Sequence, residues 1–414
     1  MKTQQFGLCI VAIFFALACR AQISIEQCYD WATNNYPLIK QYDLIEQSRD
    51  YTLSNASKGW LPQVNASVSG YAFTDVIDGS NAIGQAMEMK NLMVSASVTV
   101  NQTLYDGGAI AAKKQLATAE SEMERYSLNS SMYEIHQRVN QLYFSILLID
   151  EQLRMNHLLQ DDLRLSQKTV QSMQKHGIAN QNDVDAISVE LLGSAQREIG
   201  LLGQRNAYLQ MLSAFVGKEL NENETLEIPT KNTLSNGKRP ELDYFDSQER
   251  ALDARKSLLD SQLKPRVSAF ALGMVHTKMT DIMNNGMLAG GVTLSWNIGA
   301  LYTRKSDLAK IELDRQKINV NRETFLFNNA QQSRLSNGQI ASLQQQITKD
   351  DEIVRLRENI RSREEKRLKN GLASVNDVLR SINAVSEARQ TRSTHEVQLL
   401  QELYNLKYIN NLSE

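Results

Sequence analysis

Proline and cysteine are scarce in this chain, and no stretch of it stays apolar for long. Five prolines and 20 glycines in 414 residues leave few places to break a helix, so long uninterrupted helices are expected. Three cysteines, Cys9, Cys19 and Cys28, are too few for a disulfide framework. No segment beyond the N-terminus offers about 18 consecutive apolar residues, so any membrane crossing must use strands. A net charge of −2 excludes the basic footprint of a nucleic-acid-binding protein. The chain shows no nucleophile with its base, no phosphate loop and no paired-carboxylate site, so no catalytic residue and no cofactor is expected. His136, His157, His176, His276 and His395 lack metal-ligand spacing. Met87, Met89, Met93, Met279, Met283 and Met287 fall in or beside two presumed outer loops and offer soft-metal ligands, but loop methionines need no such role.

What the chain does contain is a stretch written twice: KHGIANQNDV at 175–184 and KNGLASVNDV at 369–378. Lys175 pairs with Lys369, Gly177 with Gly371, Asp183 with Asp377 and Val184 with Val378, always 194 positions apart (377 − 183). Each copy predicts a reversal between two helices. Gly177 and Gly371 take the left-handed position that closes a helix. Asn180-x-x-Asp183 and Ser374-x-x-Asp377 then form capping boxes, with the acid on the positive helix end. The same helical hairpin is expected twice in one pseudo-symmetric body.

Residues 1–21 read as a secretory signal: Lys2, an apolar run from Leu8 to Ala18, then Cys19 and Ala21 at the −3 and −1 positions of a cleavage site before Gln22. Cys19 after Ala18 also resembles, weakly, a lipoprotein site. Cleavage after Ala21 would leave only Cys28 and hence no internal disulfide. Residues 24–57 predict a helical region that Pro37 splits in two, and 239–261 echo its later part.

A proline opens each strand pair. After Pro62, Val64, Ala66, Val68, Gly70 and Ala72 alternate with polar residues, and Val94, Ala96, Val98 and Val100 do the same. After Pro265 come Val267, Ala269, Ala271, Gly273 and Val275, then Val292, Leu294, Trp296 and Ile298. Four strands of about ten residues are the length that tilted membrane strands need. Trp60, Tyr71, Phe73, Tyr105, Phe270 and Trp296 near the strand ends fit interfacial girdles, and a longer first loop around 75–91 fits outward-facing barrel loops.

Proline-free helices are expected from Gly108 to Lys175 and from Ala300 to Lys369, each roughly 100 Å long. Ile135, Val139, Leu142, Ile146, Ile149 and Leu153 make a coiled-coil seam in the first. Ile340, Leu343 and Ile347 repeat its last three positions, whereas Ser333 and Ser336 replace Val139 and Leu142, so the seam is shared only in part. Return helices follow at about 180–217 and 374–411. The expected organisation is a signal peptide (1–21), a first repeat (22–225), a polar linker (226–238) and a second repeat (239–414).

Four strands cannot close a barrel, and an open edge in lipid strands backbone N–H and C=O groups, so neighbouring subunits must complete it. Two chains would supply eight strands; three would supply twelve, with room for a lumen. The ordered set of N-terminal helix, Trp60-Leu61-Pro62, strand pair, Leu104-Tyr105-Asp106-Gly107-Gly108, long helix, Gly177-Ile178-Ala179 tip and return helix, then all of it again, resembles the TolC family of outer-membrane efflux proteins. The resemblance covers nearly the whole mature chain. It implies an α+β membrane protein and a homotrimer whose four strands per chain make a trimeric 12-stranded β-barrel in outer-membrane lipid. That barrel continues as a long α-helical coiled-coil barrel into the periplasm, and the chain has an internal two-fold repeat. It further implies a passive exit duct of a tripartite efflux system, served by a periplasmic adaptor and an inner-membrane pump. Two alternatives are the exit duct of a type I protein secretion system and a structural coiled-coil surface protein.

By the same resemblance, Gly177, Ile178, Ala179, Gly371, Leu372 and Ala373 are adaptor-docking tips; the plainer reading makes each glycine a helix C-cap and each apolar neighbour its contact. Family members carry two acids three residues apart after the second tip, forming a cation-binding periplasmic gate. Here Asp377 matches the first, but Arg380 occupies the second. An Arg at i+3 neutralises the acid, and a weaker cation block is expected. Asp183, in the first copy, shows that capping accounts for such an acid without a gate.

Overall fold

A computed structural model describes residues 22–72, 92–229, 235–278 and 281–413. The expected signal peptide with Cys9 and Cys19, the first loop with Phe73, Met87 and Met89, and Met279 lie outside the described residues. Helix α1 (Ile25–Asn35) opens with a capping box between Ser24 and Gln27, and a single 3-10 turn at Pro37–Lys40 separates it from α2 (Gln41–Ser57). Strands β1 (Gln63–Ala72) and β2 (Leu92–Tyr105) follow, then α3 (Ala109–Lys175) and α4 (Gln181–Val216). The short β3 (Ser235–Asn236) precedes α5 (Pro240–Gln262), β4 (Arg266–Lys278), β5 (Asp281–Ser295), α6 (Ala300–Lys369), α7 (Val375–Asn410) and β6 (Leu412–Ser413). None of the described helices is long and apolar enough to cross a membrane.

Packing divides the chain into two compact units, each drawing on both halves of the sequence. One comprises Lys40–Leu128 and Glu241–Glu323 and contains an antiparallel sheet of order β1-β2-β4-β5. Its register stacks Val68 on Ala96 and Ala96 on Val275, and likewise Ala66 on Val98 and Val98 on Gly273, so small and β-branched residues share one face. That face is exposed: Val64, Val68, Val98, Val292 and Leu288, the last 92% accessible, all point away from any core. On the opposite face of β1 and β2 lie Asn65, Ser67, Ser95, Ser97 and Thr99, with the Ser67 and Ser97 hydroxyls 2.8 Å apart. The alternation weakens in β4, where Phe270, Leu272 and Met274 fill the second face.

Two boundaries depart from expectation. The last strand ends at Ser295 rather than Ile298, because the chain turns at Asn297 into α6 and the Trp296 indole donates to the Leu263 carbonyl at 2.9 Å. Pairing between β4 and β5 also runs out to Lys278 and Asp281, which makes Met283 and Met287 strand residues instead of loop residues. Trp60, Tyr105 and Trp296 are exposed.

The other unit comprises Met1–Ile39, Asn129–Pro240 and Thr324–Glu414. All six α3 seam residues are buried, alongside Tyr143 and Phe144. The Tyr143 hydroxyl sits 2.7 Å from the carbonyl oxygens of both Ile23 and Glu227, sharing one proton between them. Cys28 is fully buried, and burial pushes its thiol up to about 12, so it packs as a small apolar group rather than a nucleophile.

Candidate docking tips and gate

Both tips are built by the same local chemistry. The 67-residue α3 and the 70-residue α6 each stop where a glycine turns left-handed, Gly177 and Gly371, both at φ +72°. The residue after each glycine bonds back five positions: Ile178 N–H to Met173 at 2.9 Å, and Leu372 N–H to Arg367 at 2.8 Å. These are Schellman closures, which satisfy carbonyls that a helix end leaves free. The next apolar residue separates into two fates. Ala179 and Ala373 tuck against the core, whereas Ile178 and Leu372 stand 66% and 68% exposed.

The capping boxes then restart the chain. Asn180 accepts from the Asp183 amide and Asp183 from the Asn180 amide, both at 3.0 Å. Ser374 accepts from the Asp377 amide at 3.2 Å, while Asp377 accepts from the Ser374 amide at 3.0 Å and from its hydroxyl at 2.7 Å. The Ser374 hydroxyl, then its amide, with Arg380 and Arg367 nearby, hold the Asp377 carboxyl below the usual range. Arg380 lies 3.9 Å from Asp377 and is 82% exposed, so this pair is loose and solvated.

Beneath the tips one apolar core joins both hairpins, with Leu163 and Val170 of α3, Ile187 of α4, Leu368 of α6, and Val378 and Ile382 of α7. Further along, Arg361 grips Asp162 with two bonds of 2.5 and 2.9 Å and also holds Glu365 at 2.8 Å. Arg389 holds Glu358 at 2.6 Å. Sequence reading missed the Arg361–Asp162 tie, because partners 199 positions apart leave no local spacing to find. It missed Arg205 as well, which reaches the Glu222 and Glu224 carbonyls at 2.6 and 2.7 Å and so fastens the segment that follows α4 back onto that helix. The structure thus brings the six tip residues onto paired hairpin ends and gives Asp183 and Asp377 the same capping geometry, with Arg380 beside Asp377 alone. Among the described residues, no three His, Cys, Asp or Glu side chains cluster as metal ligands.

With this geometry established, comparison with known proteins is direct. Residues 29–218 match the family model described as "Outer membrane efflux protein". No curated protein matches the chain. Among solved structures, the outer-membrane channel OprN superposes with a TM-score of 0.69 at 14% identity, covering 93% of this chain and 89% of that one. VceC from Vibrio cholerae gives 0.67 at 13%, covering 93% and 96%, and the open state of MtrE from Neisseria gonorrhoeae gives 0.67 at 12%, covering 93% and 88%. The fold is therefore that of a TolC-like channel: mostly helical, with one four-stranded antiparallel sheet. Residues 29–218 thus resemble the outer membrane efflux protein family, and over 93% of the chain the fold is shared with solved outer-membrane channels.

Proposed function

We propose that the chain is a homotrimeric exit duct: three copies close a twelve-stranded barrel, and their helices continue it as a periplasmic tube fed by an inner-membrane pump through an adaptor. The observation that carries this reading is the sheet itself. Its outer strands, β1 and β5, each have one edge without a partner among the described strands, and its apolar face is bare. In hydrocarbon each unmet backbone group costs several kcal/mol, so the edges call for strands from further copies. Helix α6 supports the same arrangement, because Leu313, Val320 and Phe327 recur at seven-residue intervals and all are exposed, as a helix awaiting a coiled-coil neighbour would be. The repeats at 22–225 and 239–414, joined by 226–238 and preceded by a cleaved signal at 1–21, would then give each subunit two quasi-equivalent hairpins.

Ile178 and Leu372 are the apolar contacts for the adaptor, since bare side chains at hairpin ends serve neither hairpin's core. Asp377 acts first as a cap, and Arg380 weakens any cation ring it would form. The trimer is tested by electrophoresis of unheated, detergent-extracted protein: a species three times the chain mass that collapses on boiling is expected, and a monomer alone would refute it. For docking, Leu372→Asp should abolish copurification with the adaptor while the trimer persists. Undiminished copurification would remove the tips from the interface.

A further inference from the structure

We propose that a groove beside the second tip is an anion site, and that the mouth it borders passes anions in preference to cations. The inference rests on the exit-duct reading and adds the charge class of what passes: small molecules bearing carboxylate, phosphate or sulfate.

The two tips share a backbone but not a charge. Residues 161–195 of the first hairpin carry five acids against three bases, a net −2. Residues 355–389, the same positions 194 further on, carry five acids against nine bases, a net +4. Part of that excess is tied up internally, Arg361 on Asp162 and Glu365, and Arg389 on Glu358. Three of the seven other bases come together. Arg357, Arg367 and Arg380 line one groove of about 330 Å³ on α6 and α7, with Glu364 and Asp377 as its only acids.

The two acids leave the groove with a net positive charge, three arginines against two carboxylates. Glu364 already holds Arg367 at 2.9 Å, and Asp377 already accepts two bonds from Ser374, leaving Arg380 3.9 Å away and largely in solvent. Arg367 is further steadied by the Leu372 carbonyl at 3.2 Å, which fixes its position at the turn. Three guanidinium groups thus face two occupied carboxylates. Guanidinium forks match oxyanions in shape as well as charge, so an anion gains directed hydrogen bonds there. Ile360 and Ala384 complete the wall and leave room for an apolar body behind the anionic group. Charge lining a narrow passage sets the sign of what it admits.

The test uses the full-length purified channel in planar bilayers under a potassium chloride gradient, reading the chloride-to-potassium permeability ratio from the zero-current voltage. The ratio should exceed one in the native chain and fall below one in the double variant Arg357→Glu, Arg380→Glu, whose sites are exposed and outside the core. Pyrophosphate added on the tip side should block the native channel and lose that block in the variant. A conducting channel that prefers potassium, or one whose ratio the double variant leaves unchanged, overturns the anion site alone. A chain that conducts nothing overturns the duct reading along with it.

Discussion

The two long helices differ by three residues in length, 67 against 70, yet they bury themselves very differently. Helix α3 sinks its whole seam from Ile135 to Leu153 into the subunit. Helix α6 buries Ile311, Ser336, Ile340, Asp350 and Leu368, and leaves Leu313, Val320, Phe327, Leu335, Ile353 and Leu356 in the open. The two hairpins therefore pack differently, the first burying its apolar residues inside the chain and the second leaving many of them exposed. The seam shows how the sequence makes that division. Where α3 has Val139 and Leu142, α6 has Ser333 and Ser336, and these take Asn410 and Glu402 as polar partners instead of filling a core. The largest expected effect exploits the one shared seam position that both helices bury, Ile146 and Ile340. Ile146→Ala empties a fully buried site and should cost roughly 2–5 kcal/mol. Ile340→Ala, 194 positions on, should cost about half as much in detergent-extracted protein unfolded by guanidinium, because a site with exposed neighbours relaxes around the loss. Equal losses would break the asymmetry and mean that copies of the chain cover α6 as fully as α3 is covered.

A smaller effect sharpens what the hairpins share. At both tips the glycine sits at φ +72°, and a Cβ added at either would meet nothing within 4 Å. Any cost of Gly177→Ala or Gly371→Ala is thus backbone strain alone, about 1–2 kcal/mol at each site. Hydrogen exchange of the tip amides should accelerate equally in the two variants. A gap larger than that range would show that the tips differ in more than charge.

The features legible in the sequence were those with a local signature. Both capping boxes, both left-handed glycines, the Pro37 break and the ends of α3 and α6 depend on residues within five positions of one another, and each was found where the pattern put it. The features that escaped depend on chain segments meeting after folding. Arg239 donates to the Tyr408 carbonyl at 2.7 Å and lies 4.7 Å from the Tyr133 ring, yet nothing near Arg239 in sequence announces either partner. The short β3–β6 ladder, Ser235 on Ser413, is two residues long and carries no alternation to read. The extension of β4 and β5 was hidden for another reason: His276, Lys278, Asp281 and Asn285 look like loop residues, and the backbone pairs through them regardless. At the tips the helix ends were legible, and their opposite charge can be counted once the two hairpins are aligned, while which arginines are already paired could not be read.

The smallest effect separates the tips by their caps. Asn180→Ala and Ser374→Ala each remove a side chain that covers an amide, at about 1 kcal/mol. At the second tip Ser374 also gives two hydrogen bonds to Asp377, so that cap depends on the carboxylate staying ionised. Asp377 has a folded pKa depressed below its unfolded value, chiefly by the Ser374 hydroxyl. The sign follows from linkage: its contribution is fully present above the unfolded value, near 4, and fades as pH falls through the lower folded value. Hydrogen exchange at the Ser374 and Asp377 amides should therefore speed up below about pH 4, once corrected for the intrinsic pH dependence of exchange. Asp377→Asn should remove that pH step without removing the helix, because an amide side chain still accepts from the Ser374 amide but no longer titrates. A step that survives in Asp377→Asn would show that the acid sensitivity of the second tip does not come from its cap.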